Sequence, residues 1–332
     1  MDKIQQKDLK LVCLKNANKT EVKILNFGAS LFSMKIFAAS GKKVNVIVAP
    51  KMPEEVLSAR YKIQNKCFGG TIGRYAGRIA GGKFRLDGED FSLFQRSGVH
   101  LNGGESGFQC KLWKVEEVKE GSNPSATLSY FSRDGEEGYP GNLKVLANFT
   151  LTEDDELKIL YTAETDVKTV VNITNHAYFN LNGEGSVSDH FLCINADKIL
   201  EVDEKQLPTG NLVNLRDNQK NFENNKLIGN RLLEDTFVLN SDEEEISARL
   251  FAPLTGIKME MRTNQRAVVA YVPEELPADL EYQTRVAPEY PSICLKAQNF
   301  PDAPNFRNFP SSILEAGEKY QNLISFKFSV KR

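Results

Sequence analysis

Apolar and polar residues alternate most regularly in the middle of the chain. From residue 144 to 163 every second position is apolar, except where Asp154-Asp155 interrupts the pattern. A period of two places successive side chains on opposite faces of a strand, and paired acidic residues between two such runs are typical of a turn. The pattern predicts an antiparallel hairpin whose apolar face carries Val145, Ala147, Phe149, Leu151, Leu157, Ile159, Tyr161 and Ala163.

The same alternation returns at the C-terminus. Ile324, Phe326, Phe328 and Val330 alternate there with serine and lysine. This pattern predicts a last strand that closes the sheet and is not a tail.

The first part of the chain carries further strand signals and one helix signal. Residues 21–36 and 44–49 are rich in branched apolar residues, and Ser40-Gly41-Lys42 between them is typical of a turn, so they predict an opening antiparallel pair. Met52-Pro53-Glu54-Glu55 predicts a short helix over 53–62, because proline suits a first turn and acidic residues suit the positive end of the helix dipole.

Together these elements predict an all-β protein with little helix. The sequence shows no repeat of fixed period, no low-complexity segment and no linker rich in proline, glycine or serine that would divide it. We therefore expect one large antiparallel β-sandwich, a single domain over residues 1–332.

The charge of the chain narrows the choice of partner. Lysine and arginine number 42, aspartate and glutamate number 44, and the isoelectric point is about 6.1. A protein that binds nucleic acid or anionic membrane normally has an excess of basic residues, and no segment here reaches membrane-spanning length. We expect a small, uncharged ligand, with no nucleic-acid and no membrane partner.

The cysteines indicate a reducing compartment. The five cysteines are scattered, and no two form a C-x-x-C pair, which argues against a disulfide framework and against a zinc site. The N-terminal stretch MDKIQQKDLK has no apolar run. These features predict a cytoplasmic protein without a structural metal.

The stretch TVVNITNHAYFNL, residues 169–181, is the strongest candidate for chemistry. Branched residues from Val170 to Thr174 predict a strand that ends just before His176. Because the unperturbed pKa of histidine lies near neutrality, His176 is suited to donate or accept a proton. The alternative is that His176 only satisfies backbone groups at the end of a core strand.

Four blocks of sequence decide between these alternatives. They are LNGG at 101–104 with GF at 107–108, SRDGEEGYPGNL at 132–143, NITNHAYFNL at 172–181 and AQNFPDAPN at 297–305. In this order and spacing they resemble the aldose 1-epimerases, the galactose mutarotases. The likeness extends from about Phe27 to the last strand and so covers nearly the whole chain.

The resemblance implies a fold and a reaction. The fold is a galactose mutarotase-like antiparallel β-supersandwich with a sugar pocket on one open face, active as a monomer or weak dimer, with no metal or organic cofactor. Mutarotation needs one group to take the proton of the anomeric hydroxyl and another to protonate the ring oxygen. In the family the acid is the histidine of the NHxYFNL block, here His176, and the base is a glutamate that precedes the Q-x-x-P-D-A block.

The sequence departs from the family at several pocket positions. Lys296 stands at the position of the base glutamate, and the alignment leaves no room for a shift. Asn102 replaces the histidine of LHGG, although His100 lies two residues earlier and by strand alternation can face the same side. Gly77 replaces the asparagine that precedes Arg78.

The remaining pocket positions are assigned by the resemblance. The pocket aspartate of the family matches Glu234, with Asp235 as an alternative. We expect one open cleft formed by His176, Lys296, Arg78, Asn102 and Gln298, with His100 in partial compensation and Glu234 or Asp235 at the edge.

Two hypotheses follow for the function. The first is a carbohydrate-binding relative of the aldose 1-epimerases, in which catalysis is weakened or lost because Lys296 replaces the base and Asn102 replaces a pocket histidine. The alternative is an active aldose 1-epimerase that interconverts the α and β anomers of galactose or glucose, with His176 as general acid. In the second case Lys296 acts as a base only if its pKa falls by several units from about 10.4.

Overall fold

The structure is a computed structural model that describes residues 4–64, 66–216, 218–240, 242 and 244–331. Within these residues the one α-helix spans Ala59–Gln64, and none of the helices is long and apolar enough to cross a membrane. Short 3-10 helices cover Gln6–Asp8, Pro53–Leu57, Phe108–Cys110, Glu136–Gly138 and Ala303–Asn305.

Strands follow one another along the whole described chain. In chain order they are β1 Leu11–Lys15, β2 Glu21–Leu25, β3 Ser30–Phe37, β4 Lys43–Asn45, β5 Thr71–Ile72, β6 Arg78–Ala80, β7 Lys83–Leu86, β8 Glu89–Ser92, β9 Val99–Leu101, β10 Lys114–Lys119, β11 Ser125–Ser132, β12 Leu143–Leu151, β13 Glu156–Thr165, β14 Thr169–Val170, β15 Thr174–Asn175, β16 Glu184–Gly185, β17 Phe191–Ile194, β18 Lys198–Val202, β19 Pro208–Asn214, β20 Lys226–Leu227, β21 Leu233–Val238, β22 Ala248–Phe251, β23 Ile257–Thr263, β24 Ala267–Val272, β25 Arg285–Val286, β26 Cys294–Gln298, β27 Ile313–Leu314 and β28 Lys319–Val330.

Three sheets organise the longer strands. A nine-stranded sheet has the order β10-β11-β12-β13-β28-β23-β22-β17-β20, a five-stranded sheet has the order β19-β18-β21-β24-β26, and a four-stranded sheet joins β1 to β4 in sequence. Every strand pair within these three sheets is antiparallel, and the short pair β16–β25 is parallel. The predicted all-β, antiparallel class is therefore confirmed.

The central hairpin forms as the alternation predicts. β12 and β13 pair with Phe149 opposite Ile159, and the turn contains Asp155 at a φ of 58°. Along both strands the apolar positions are buried in alternation with more exposed polar ones.

The C-terminal strand is also confirmed, and it lies inside the sheet. β28 pairs with β13 on one side and with β23 on the other, which places Phe326 between Leu157 and Met261. Phe326 packs against Phe179 with the ring centroids 4.9 Å apart. Because Phe179 follows His176 by three residues, this contact ties the segment that carries His176 to the core.

The opening antiparallel pair is replaced by three strands. The stretch 21–36 is divided into β2 and β3, because the chain turns at Gly28 and Ala29, which have φ values of 68° and 41°. β4 is shorter than the predicted 44–49 and ends at Asn45. The branched residues Val46, Ile47 and Val48 are buried outside a regular strand, so a branched composition alone does not show that a segment pairs in a sheet.

The predicted helix over 53–62 is divided at Ser58. Pro53–Leu57 forms a 3-10 helix, and Ser58 is extended at φ −69° and ψ 152°. The Ser58 hydroxyl then accepts the N–H of Tyr61 at 3.1 Å, which caps the α-helix that follows.

The predicted strand Val170–Thr174 is likewise divided, into β14 and β15. Between them the backbone bonds to different neighbours, since the N–H of Val171 donates to Ser312 O and the N–H of Asn172 donates to Arg74 O. This segment therefore joins several parts of the fold instead of following one partner.

Candidate active site

An open cleft lies on one face of the five-stranded sheet. Val269 of β24 is opposite both Lys296 of β26 and Thr236 of β21, while Tyr271 of β24 is opposite Glu234 of β21. Residues opposite one another in a ladder point to the same face, so these side chains form the floor of one cleft. The described residues that line it are Lys66, Cys67, Gly77, Arg78, Leu101, Asn102, His176, Tyr178, Val202, Gln206, Glu234, Thr236, Val269, Tyr271, Lys296, Gln298 and Pro301.

The cleft is small. Its volume is about 170 Å³, which is below the roughly 300–1,000 Å³ typical of pockets for drug-sized ligands. A ligand of monosaccharide size suits it better than a larger molecule.

The backbone of His176 is fixed on both sides by a glycine-rich loop. The N–H of His176 donates to Gly70 O, and the N–H of Gly69 donates to His176 O, each at 2.9 Å. Gly69 has a φ of +66°, and a Cβ there would lie 2.1 Å from Leu31 O, so a side chain at this position is excluded. Two hydrogen bonds to this loop therefore hold the main chain of His176 in place.

Two tyrosines enclose the imidazole. The ring of Tyr178 is stacked on His176 with centroids 5.0 Å apart, and its hydroxyl donates to Lys66 O at 2.7 Å. Tyr271 meets the imidazole edge-on at 6.2 Å, and the ammonium of Lys296 lies 5.6 Å from the centroid of the Tyr271 ring. The Lys296 charge is thereby held beside His176 by a cation–π contact.

The imidazole of His176 is held in its neutral form. Burial lowers the pKa of His176 well below its ordinary value, and the positive charges of Lys296 and then Lys66 lower it further. Its Nδ1 atom is buried and has no hydrogen-bond partner on another described residue. At neutral pH the side chain is therefore a poor proton donor.

Lys296 is half-buried at the position of the expected base. Burial lowers the pKa of Lys296, and the charge of Arg78 acts in the same direction, while Cys294 and Glu234 oppose the shift. A lysine in its ammonium form has no lone pair with which to accept a proton.

Arg78 and Glu234 form an ion pair at the edge of the cleft. Nη2 of Arg78 donates to Oε1 of Glu234 at 2.8 Å. Arg78 lies on β6 and Glu234 on β21, so the pair links the two sides of the cleft.

Asn102 and Gln298 lie where the sequence placed them, and each also braces the backbone. The Oδ1 atom of Asn102 accepts the N–H of Gly77 at 3.0 Å, and Nε2 of Gln298 donates to Asn299 O at 3.2 Å. Gly77 has a φ of +85°, and a Cβ there would lie 3.2 Å from both Gln298 and Pro301. The asparagine expected at this position would be strained in this backbone.

His100 lies outside the cleft, contrary to the expectation that it compensates for Asn102. It is fully buried, its Nδ1–H donates to Phe94 O at 2.6 Å, and its Nε2 accepts the hydroxyl of Tyr139 at 2.6 Å. Both ring nitrogens are therefore occupied, and burial lowers the pKa of His100 to about 4. In this structure His100 links Phe94 to Tyr139 in the protein interior.

Asp235 is also turned away from the cleft. It is buried, and its Oδ1 accepts Nζ of Lys220 at 2.7 Å. Because neighbours along a strand face opposite sides, Glu234 occupies the cleft and Asp235 cannot. Six of the eight expected site residues are thus brought together, and His100 and Asp235 are not.

We expect His100→Gln to flatten the dependence of stability on pH. His100 is neutral when folded and has a depressed pKa, so its stabilising contribution is present above pH 6.5 and is lost as the pH falls towards 4. Between pH 7 and pH 5 this loss is about 2 kcal/mol of the free energy of unfolding. Urea unfolding of both proteins at the two pH values measures it. Equal losses in the variant and the unmodified protein would contradict the assignment.

The sequence analysis missed Lys66, a basic residue of the cleft. Lys66 lies in the segment after the α-helix, where no motif marks it, and only the fold brings it to His176. Tyr271 lies on β24 and shares a face of that strand with Val269. Among the described residues no group of three histidine, cysteine, aspartate or glutamate side chains is placed to hold a metal ion.

Comparison with solved structures defines the class of protein. An aldose epimerase homologue from C. elegans superposes with a TM-score of 0.87 at 24% identity, covering 98% of this chain and 100% of the other. A galactose 1-epimerase from Lactobacillus acidophilus gives a TM-score of 0.85 at 28% identity, covering 100% and 98%. The fold is therefore of the galactose mutarotase-like class.

Sequence comparison defines the family. The model of the aldose 1-epimerase family matches residues 10–327. Galactose mutarotase from Sus scrofa is 34% identical over 326 residues, which cover 95% of this chain and 92% of the relative. Aldose 1-epimerase from Escherichia coli is 30% identical over 336 residues, covering 96% and 95%. The chain belongs to the aldose 1-epimerase family.

Proposed function

We propose that this protein binds an aldose in the cleft around His176 and that its epimerase activity is weak or lost. The observation that carries this proposal is the ammonium of Lys296, which faces the cleft at the position of the family's base. Among the described lining residues the one carboxylate is Glu234, and Arg78 already engages it.

The acid is impaired together with the base. In mutarotation His176 would protonate the ring oxygen, and this needs an imidazolium or a readily released N–H proton. Burial and the charge of Lys296 stabilise the neutral imidazole instead. One substitution therefore removes the proton acceptor and weakens the proton donor.

The cleft keeps the features that suit a sugar ring. Tyr271 presents an aromatic ring, which can cover the apolar side of a pyranose. Asn102, Gln298 and Arg78 supply amide and guanidinium groups for hydroxyls. These groups support binding without supporting the proton transfers.

We also propose a single domain that acts as a monomer or weak dimer in the cytoplasm. None of the five cysteines, all of which lie in the described residues, forms a disulfide. This is the state expected in a reducing compartment.

Polarimetry of freshly dissolved α-D-galactose and α-D-glucose tests the proposal. We expect the optical rotation to relax at close to the uncatalysed rate in the presence of the protein, while calorimetry with the same sugars detects binding. Turnover on the order of 1–10³ per second that disappears in His176→Ala would overturn the proposal in favour of an active epimerase. A rate that rises tenfold per pH unit would identify neutral Lys296 as a substitute base.

A further inference from the structure

The side chains that line the cleft carry an excess of positive charge. Among the described lining residues, Lys66, Arg78 and Lys296 are basic, and Glu234 is the one acidic residue. The chain as a whole has slightly more acidic than basic residues, so the cleft is not a sample of the general surface.

The single carboxylate does not compensate this excess. Glu234 pairs with Arg78 at 2.8 Å, which leaves Lys66 and Lys296 without a carboxylate within 4 Å in the described chain. Asp235, the next acidic residue along β21, is buried in its contact with Lys220. Lys296 contacts the ring of Tyr271, which carries no net charge, and Glu234 acts on the ammonium only from beyond ion-pair distance.

Both lysines add positive charge to the part of the cleft that contains His176. Lys296 and Lys66 line the same cleft as His176. Both positive charges also lower the pKa of the His176 imidazole. His176 cannot balance them, because an imidazole is either neutral or positively charged. A half-buried cation without an anionic partner is unfavourable, and a ligand that brings a negative charge reduces that cost.

We propose that the natural ligand of the cleft is an aldose that carries an anionic group, either a carboxylate or a phosphate. This proposal rests on the proposed function, because it assigns the ring of the sugar to the same cleft. The anionic group lies between Lys296 and Lys66, where it accepts charge-assisted hydrogen bonds from the two ammonium groups. Arg78 keeps the N–H donors that Glu234 does not use and can add to them.

An anionic ligand would explain why a lysine occupies the base position. A glutamate at residue 296 would repel an anionic sugar, whereas a lysine attracts it. The same change that disables proton abstraction therefore selects a different class of sugar.

Isothermal titration calorimetry at low salt tests the proposal with D-galactose, D-galacturonate, D-galactose 6-phosphate and inorganic phosphate. We expect at least one anionic sugar to bind about 10- to 100-fold more tightly than galactose, as expected for hydrogen bonds to charged groups. A preference for galacturonate identifies the carboxylate as the anionic group, and a preference for galactose 6-phosphate identifies the phosphate.

Variants locate the effect in the cleft. Lys296→Gln and Lys66→Gln should each reduce the ratio of anionic-sugar affinity to galactose affinity severalfold. Lys158→Gln, which makes the same change of charge on β13 of the nine-stranded sheet, should keep the preference.

Each other outcome has a separate meaning. Galactose that binds as tightly as both anionic sugars overturns this inference and leaves the proposed function intact. Inorganic phosphate that binds as tightly as the sugar phosphate also overturns it, because the sugar ring would then contribute nothing. If none of the four ligands binds, the proposed function fails as well.

Discussion

Lys296→Glu is expected to raise the rate of galactose mutarotation by about 10²–10⁴-fold, the usual contribution of a positioned acid–base group. The substitution places a carboxylate where the resemblance expects the base. It also replaces the positive charge beside His176 by a negative one, which raises the pKa of the imidazole and favours its protonated form. Polarimetry with freshly dissolved α-D-galactose measures the gain.

Two controls separate the carboxylate from the loss of the ammonium. Lys296→Gln removes the charge without supplying a base, so it should recover little activity. Lys296→Glu combined with His176→Ala should lose the gain, because the proton donor is then absent. Equal activity in Lys296→Gln and Lys296→Glu would show that residue 296 is not the position of the base.

We expect the recovery to stop short of a typical family member. Gly77 supplies no side chain at a position where the family has an asparagine, and Asn102 already uses its Oδ1 atom on the backbone. Each hydrogen bond that is lost to a sugar hydroxyl costs about 0.5–1.5 kcal/mol. The deficit should appear mainly in sugar affinity, since these groups lie beside the reacting atoms and do not transfer protons.

The sequence predicted the long, regular strands and failed where the backbone changes partners. β12, β13 and β28 each keep the same two neighbours over many residues, so the period of two is preserved in their sequences. The stretch at 21–36 has the same composition, yet it turns at Gly28 and Ala29. Branched residues favour extended backbone, and that preference is satisfied by both a ladder and an irregular extended segment.

The site was predictable where a side chain belongs to a distinctive block. His176 and Gln298 lie in such blocks, and both line the cleft. The prediction that His100 faces the cleft was wrong. Alternation predicts which face of a strand a side chain lies on, but it does not predict which residues pack against that face. Here Tyr139 packs against His100 and donates its hydroxyl to Nε2. Lys66 was missed because its position depends on tertiary contacts of a loop.

The charged residues of the cleft and their neighbours affect one another. Lys296 interacts with Tyr271 and His176, while Arg78 binds Glu234. A change at residue 296 therefore alters the acid, the base and the charge offered to a ligand together. This coupling is why one substitution is expected both to suppress turnover and to redirect binding.

The fold itself depends most strongly on the last strand. A chain that ends at Asn322 should fail to fold, because β23 would lose all of its pairs with β28 and β13 would keep only those with 319–322. Apolar side chains such as Ile159 and Met261 would then be exposed along two open edges, which promote aggregation. We expect insoluble or aggregated protein, measured by size-exclusion chromatography and circular dichroism.

Graded substitutions show whether packing on this strand is the cause. Phe326 is 1% exposed and contacts Phe179, so Phe326→Ala should lower the free energy of unfolding by about 3–5 kcal/mol. That is a large part of the roughly 5–15 kcal/mol available to a folded protein. Ser329→Ala on the same strand is the matched control, because Ser329 is exposed and its replacement should change stability by less than about 0.5 kcal/mol. A soluble chain ending at Asn322 with an unchanged β-sheet spectrum would show that the two halves of the nine-stranded sheet hold together without β28, and that Phe179 keeps the His176 segment in place through other contacts.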